Sequence, residues 1–311
     1  MSDHIFISGP ASWNQLVLLD KLPEPVAQTV HARRHHESIG GTSAGKALNL
    51  RALGNETTLF TLLGGDPHGV RVRRALEEAG VQVVPGTAAG PTEQHLNLMT
   101  ERGERLSIYL ATPSLVAGGT AVGTDGLESA VAARALAGAR VAVIDLAAHS
   151  VPMLSLARGL GVDVWTDIHD YNGTAAFHQP FIDAASHIFM NADGLPDPRP
   201  FMARTIAAGA QLVVCTLGAD GAIALDAGGR EYAVEAAAVD SIVDTNGAGD
   251  AFLSGYLHAH LAGGDVDHNL AAAAQQAALV LRSNHLHPVL DEILGAAWPA
   301  TAPAPGSTPT G

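Results

Sequence analysis

The residues best placed to do chemistry lie in VDTNGAGDAFLSGYLHAHL, Val243 to Leu261. A polar, Gly-containing turn runs straight into an amphipathic helix, with Asp250 at its start. The first amides of a helix have no partner within it, so those of Gly247, Ala248 and Gly249 would point at one spot beside the positive end of the helix dipole. Small side chains let an anion approach that backbone closely. The result is an anion hole with a carboxylate next to it. Such a carboxylate can take a proton from an attacking hydroxyl while the amides stabilise charge on a transferring phosphoryl group. The same residues also fit an Asp capping a helix after a Gly-rich loop, and residue chemistry alone leaves both readings open.

A second stretch, GGTSAGKALNL (Gly40 to Leu50), has the Gly-x-x-x-x-Gly-Lys spacing of a phosphate-cradling loop. That loop needs a buried strand before it and a hydroxyl residue after the lysine to hold Mg²⁺. Here HARRHHESI precedes it and Ala47 follows Lys46, and in a chain with 34 glycines the spacing also arises by chance. The better reading is a Gly-rich turn opening a helix, with Ala47, Leu48, Leu50 and Leu53 on helical spacing and Gly54 as its C-terminal cap.

The elements that must position these turns alternate along the chain. Strands are expected at HIFISG, TTLFTLLG, ARVAVIDL, VDVWTDI, HIFMN, QLVVCTLG and AIALD, and helices at 67–79, 126–138, 151–160, 197–208, 249–262 and 267–282. Apolar strands separated by helices indicate a mainly parallel sheet covered on both faces. Two stretches, about 12–39 and about 92–112, alternate polar and apolar residues instead. They read as antiparallel strands of a small lid sheet over one end of the main sheet, or as surface loops. A single domain over 1–297 follows, with a Pro/Ala/Ser/Thr-rich tail at 298–311 expected to be disordered. No internal repeat is visible.

Composition sets limits. The 311 residues are 47% apolar, enough for a sizeable core. A net charge of −14 without a dense Lys/Arg run argues against nucleic-acid and membrane-surface binding. The single cysteine, Cys215, cannot form an internal disulfide, and MSDHIFISG lacks the pattern of a signal peptide, so a reduced, cytoplasmic setting is expected. No apolar run reaches the length of a membrane span. The 15 histidines show no HExxH or paired spacing, and no residue is assigned as a metal ligand.

DTNGAGDAF resembles the Asp-Thr-x-Gly-Ala-Gly-Asp signature of the ribokinase-like, or PfkB, carbohydrate kinases. Other segments agree in order: Gly40–Gly41 with the helix ending RALG, LLGGDPHG at 62–69, and VVCTLGADGAIAL at 213–225. The resemblance implies a Rossmann-like three-layer α/β sandwich, mainly parallel, with a small β-sheet lid. It implies ATP with Mg²⁺, and in many members K⁺. Asp250 matches the general base, and Gly247, Ala248 and Gly249 match the anion hole. Asp244 and Thr245 match the start of the signature. Thr216, Gly218 and Gly221 match the nucleotide region, with Asn284 near the base. The Gly40–Gly41 turn would line the acceptor pocket rather than hold ATP.

Departures bear on the substrate. The early substrate-binding Asp of many members is Asn14, which can bond a hydroxyl without negative charge. The sugar-contacting Asn of Gly-Gly-x-x-x-Asn is Gly45, followed by Lys46. That lysine reads as solvated on the first helical turn or as contacting a phosphate or carboxylate of the substrate. In the family's Asn-x-x-Glu motif Asn191 is kept, Gly194 replaces the Glu, and Asp193 is one place off. His95, Asn97 and Arg105 on the lid read as lid-surface residues or pocket residues. Arg33, Arg34, His35 and His36 form a basic cluster on a solvated strand face or at the pocket edge. The expected function is ATP-dependent phosphorylation of a hydroxymethyl group on a small sugar-like molecule. The alternatives are a nucleoside kinase, a sugar-phosphate kinase and a non-catalytic ligand sensor. A homodimer through the lid is expected from exposed apolar lid residues.

Overall fold

A computed structural model describes residues 3–100, 102, 104–115 and 127–295. Strands β1 (His4–Ser8), β2 (Ser12–Leu19) and β3 (Arg34–Gly40) lead into helix α1 (Thr42–Ala52). Next come β4 (Glu56–Leu63), α2 (Pro67–Glu78), β5 (Gln82–Ala89), β6 (Glu93–Thr100), β7 (Arg105–Ala111) and β8 (Ser114–Leu115). Then follow α3 (Leu127–Ala137), β9 (Val141–Ile144), α4 (Val151–Leu160), β10 (Asp163–Asp167), α5 (Gln179–Ala184), β11 (His187–Asn191) and α6 (Arg199–Ala207). The chain continues through β12 (Leu212–Thr216), β13 (Ala222–Asp226), β14 (Glu231–Val234), α7 (Ala248–Leu261), α8 (Val266–Val280) and α9 (Val289–Leu294).

Successive side chains of a strand point to opposite faces, and here both faces are dry. Ile5 and Ile7 of β1 pack into one apolar cluster with α1, α7 and α8, while Phe6 packs into another with α3, α4 and α6. Val143 of β9, Trp165 of β10 and Val214 of β12 join the first; Ala142, Val164 and Val213 join the second. Burial on both faces is why these strands read as unbroken apolar runs. The sheet order is β14-β13-β12-β11-β10-β9-β1-β4-β5-β8, parallel from β12 to β5 with antiparallel strands at both edges. The order reverses between β9 and β1, and the crevice beyond the carboxyl ends of strands at such a point is where α/β sheets bind ligands.

The two alternating stretches form a separate four-stranded sheet, β3-β2-β6-β7. One expectation is corrected: β2 and β6 pair parallel, while the other lid pairs are antiparallel. The reason lies in the main sheet. β2 follows β1 and β6 follows β5, so both lid strands leave the carboxyl edge of parallel strands and run the same way. Sequence reading missed β5, whose apolar run is interrupted by Pro85 and Gly86. Among the described residues that strand pairs with β4 on one side and only the short β8 on the other, so Pro85 disturbs little pairing there. β8, β14, α5 and α9 are too short or too polar to have shown a period. The tail at 298–311 lies outside the described residues.

Candidate active site

Asp167, Asn191 and Thr216 are the last residues of β10, β11 and β12, and Asp145 directly follows β9. Four adjacent parallel strands thus deliver polar side chains to one edge. Above that edge lies a cleft of about 730 Å³, roofed by the lid. One part of its lining includes Asn14, Gly41, Thr42, His95, Asn97 and Asp250. Asn191, Asp193, Thr216, Thr245, Gly247 and Gly249 line the other part.

Gly247 N-caps α7 with φ 82°, a left-handed conformation that favours glycine, and no side chain caps this end. The Ala248 amide reaches back to the Thr245 carbonyl at 3.4 Å. The amides of Gly249 and Asp250, one turn in, have no i−4 carbonyl inside the helix. Asp244 is buried and accepts from the Asn246 amide at 2.8 Å, so it braces the turn instead of lining the cleft.

Gly41 caps α1, also at a positive φ of 92°, and a Cβ there would stand 2.5 Å from the Pro10 carbonyl oxygen. Lys46 on this helix corrects the sequence reading on both counts. It is not solvated, being 0% exposed, and it is not on the cleft surface. Its Nζ lies 2.9 Å from Asp250 Oδ1, 3.1 Å from Asp145 Oδ1 and 3.3 Å from Asp167 Oδ2, and it also donates to Thr42 Oγ1. Thr42 Oγ1 in turn donates to Asp250 Oδ1, and Ser43 donates to Asp145 Oδ2 at 2.6 Å. Burial alone would weaken the ammonium's hold on its proton, but the three carboxylates outweigh it and hold Lys46 charged above the ordinary lysine range. Burial pushes the Asp250 carboxyl up, with Asp167 adding to it, against the pull of Lys46, His169 and Thr42. Burial would also raise Asp167, but His169 and Lys46 overcome it and hold that carboxyl below its usual range. His169 itself sits at φ 49°, its amide donating to Asp167 Oδ1 at 2.9 Å.

Other expected residues divide. Asn14 is buried and accepts from Ser12 at 2.8 Å. His95 is buried against Glu93 at 3.0 Å, and Asn97 is buried at the cleft wall with its Oδ1 unpaired among the described residues. Arg105 lines the cleft and donates to Asn246 Oδ1 at 3.2 Å, tying the lid to the turn before α7. Gly40 and Gly45 lie behind the lining: a Cβ on Gly40 would meet Asn14, and one on Gly45 would stand 2.8 Å from Asp250 Oδ2. Gly218 and Gly221 shape the turn between β12 and β13 and are not among the lining residues. Asn284 is likewise absent from the lining, and its carbonyl accepts from His36. His36 is pushed down to about 4, first by burial, so it is neutral at pH 7 and adds no charge to the Arg33–His36 cluster. Arg33, Arg34 and His35 are exposed away from the cleft lining. A Cβ at Gly194 would stand 2.2 Å from the Asp170 carbonyl oxygen, so the loop after β10 fills the space a side chain there would need.

Sequence reading missed Thr42, Asp145, Asp167 and His169. The available signal was an Asp closing each of two buried apolar strands, VAVID and VDVWTD.

The pattern of the pfkB family carbohydrate kinases matches residues 12–136 and 191–291. The chain belongs to this family. A curated relative, an acarbose 7(IV)-phosphotransferase of Actinoplanes sp., is 31% identical over 268 residues, covering 85% of this chain and 87% of its own. An ATP-dependent ribose-1-phosphate kinase of Halopiger xanaduensis is 29% identical over 282 residues, 86% of this chain and 88% of its own. Among solved structures, a microbiome-derived acarbose kinase superposes with a TM-score of 0.76 at 25% identity, covering 90% of this chain and 92% of that one. Arabidopsis thaliana ribokinase, complexed with ribose and ATP, shares the fold with a TM-score of 0.74 at 18% identity over 96% of this chain and all of that one. As a pfkB kinase the protein is a phosphotransferase of the ribokinase-like fold.

Proposed function

We propose that this kinase transfers the γ-phosphoryl group of ATP to a hydroxymethyl group of a small, uncharged sugar or sugar-like acceptor. The observation that carries the reading is Asp250, set in the cleft beside the first-turn amides of α7, with Thr42 and Lys46 on one of its oxygens. Asp250 accepts the proton as the acceptor oxygen attacks phosphorus. The bond to the bridging oxygen breaks and ADP leaves. The Gly247–Asp250 amides hold the phosphoryl oxygens as charge builds on them. Asn14, His95 and Asn97 meet acceptor hydroxyls, and Asn191, Thr216 and Thr245 face the nucleotide.

Among the described residues no group of three or more His, Cys, Asp or Glu is arranged to hold a metal ion. Mg²⁺ in kinases is held largely by the nucleotide's phosphates and by water, with one or two protein carboxylates. Asp193 with Asn191 fits that donor set, and the metal would neutralise phosphate charge there. A phosphorylated acceptor is disfavoured. Lys46, the residue that suggested one, is fully buried, hydrogen-bonded to Thr42 and Asp250 and ion-paired with two neighbouring carboxylates.

The lid supports a homodimer. Glu93, His95, Asn97, Arg105, Ser107 and Tyr109 face the cleft, and the intervening Leu106, Ile108 and Leu110 of edge strand β7 are 43%, 39% and 53% exposed. An apolar outer face on a strand that is the sheet's edge among the described residues suits a second copy of the same sheet.

The test is ADP release with Mg-ATP across free sugars, nucleosides and sugar phosphates, run in K⁺ and in Na⁺, with Asp250→Asn as control. Acceptor-dependent release with an unphosphorylated sugar, lost in the control, is the expected result. Preference for a sugar phosphate, or an unaffected Asp250→Asn, would overturn it.

A further inference from the structure

We propose that Lys46 is a positioning residue for phosphoryl transfer: its buried ammonium grips Oδ1 of Asp250 and keeps that carboxylate oriented and ionised, so that Oδ2 takes the acceptor's proton. The inference rests on Asp250 being the base.

The Lys46 ammonium donates hydrogen bonds to Thr42 Oγ1 and Asp250 Oδ1, and carboxylate oxygens of Asp145 and Asp167 stand 3.1 and 3.3 Å from it. It is fully buried and off the cleft lining, so Lys46 acts through Asp250 and not on the acceptor. The neighbouring residue completes the device. Gly45 lies against Asp250, where a Cβ would stand 2.8 Å from Oδ2 and 3.2 Å from the carboxylate carbon. Residue 46 therefore grips one oxygen while residue 45, having no side chain, leaves the other uncovered. The two departures from the family pattern at 45 and 46 are thus one feature.

Charge argues the same way. Asp250 is faced by Lys46 and Thr42 from α1, and by Asp167 and His169 from β10 and the loop after it. Asp145, after β9, holds Lys46 from the far side and is itself held by Ser43. Three buried carboxylates beside one ammonium leave the cluster short of positive charge, so removing the ammonium leaves all three, Asp145, Asp167 and Asp250, repelling one another in a dry site. Burial already raises Asp250, and without Lys46 it would rise further, as the sign of a lost cation requires.

The test uses Lys46→Met and Lys46→Gln in the full chain, with two readouts. The first is the pH dependence of kcat and KM. In both variants kcat should fall by about 100-fold while KM stays within about threefold, because the acceptor is not touched. The acid limb should move to higher pH by at least about one unit. The second is a carboxyl ¹³C titration of Asp250, assigned by its loss in Asp250→Asn, which needs no acceptor; its midpoint should rise in either variant. Should Lys46→Met not fold, Lys46→Gln, which keeps a donor without the charge, carries the same test. An unmoved acid limb and an unmoved Asp250 titration would show that Lys46 is only a core ion pair. A change in KM alone would show that it contacts the acceptor after all. If the wild type turned over no acceptor while the Asp250 titration still moved, the assigned reaction would fail and the electrostatic role would stand.

Discussion

Two helices start from left-handed glycines at the floor of the cleft, and their N-termini are used in opposite ways. α1, capped by Gly41, spends a first-turn amide within the protein: Ala44 donates to the Pro10 carbonyl. What it sends toward Asp250 is side chains, Thr42 and Lys46. α7, capped by Gly247, sends a side chain and backbone together, Asp250 beside the amides of its first turn. The same local pattern, glycine turn into helix, thus builds a clamp in one place and the proposed anion hole in the other. The difference arises from what lies ahead of each N-terminus: the chain leaving β1 in the first case, open cleft in the second.

That contrast can be broken in graded steps. Asp250→Asn should give the largest effect, a kcat loss of about 10²–10⁴-fold with little change in melting temperature, measured by ADP release and calorimetry. Gly41→Ala comes next and acts on stability. The positive φ and the Pro10 backbone 2.5 Å away leave nothing able to yield, so a loss of about 1–3 kcal/mol, seen as a lowered Tm, is expected. Gly247→Ala should cost less, about 1 kcal/mol, because its nearest neighbour is the movable end of Leu286 at 3.0 Å. Gly249→Ala should leave Tm unchanged, since a Cβ there meets nothing within 4 Å. Any fall in its kcat then reports crowding of the anion hole alone. A Tm drop at 249 as large as at 247 would mean that the two positions are not separated as described. The smallest effect is expected for Asn97→Ala. Its unpaired Oδ1 at the cleft wall should be worth a KM increase of about tenfold or less with kcat preserved, because it offers one hydrogen bond to bound acceptor.

The lid and the main sheet show why some of this was readable in advance. Strands buried on both faces must be apolar throughout, and lid strands with one wet face must alternate, so β1, β11 and β13 and the two lid insertions could be placed from pattern alone. The turn at Asp244–Asp250 was readable because its chemistry is local: a helix N-terminus carries its own amides and its own carboxylate. Lid pairing was not, since the direction of β2 against β6 depends on where β1 and β5 end in another sheet.

Lys46 marks the limit. A lysine one turn into a helix reads as solvated because burying an ammonium is costly unless charges are waiting for it. Its partners are Asp250, 204 residues further along, and two aspartates at the ends of β9 and β10. Periodicity shows each of those strands ending in an acid, and nothing local says that the ends meet. Strand order brings them together, and with them the charge that makes burial of Lys46 favourable. The residue types and the local turn chemistry were therefore set by the order of amino acids along the chain. Which oxygen of Asp250 is gripped, and which is left free, was decided only when the sheet placed β9, β10, α1 and α7 around one point.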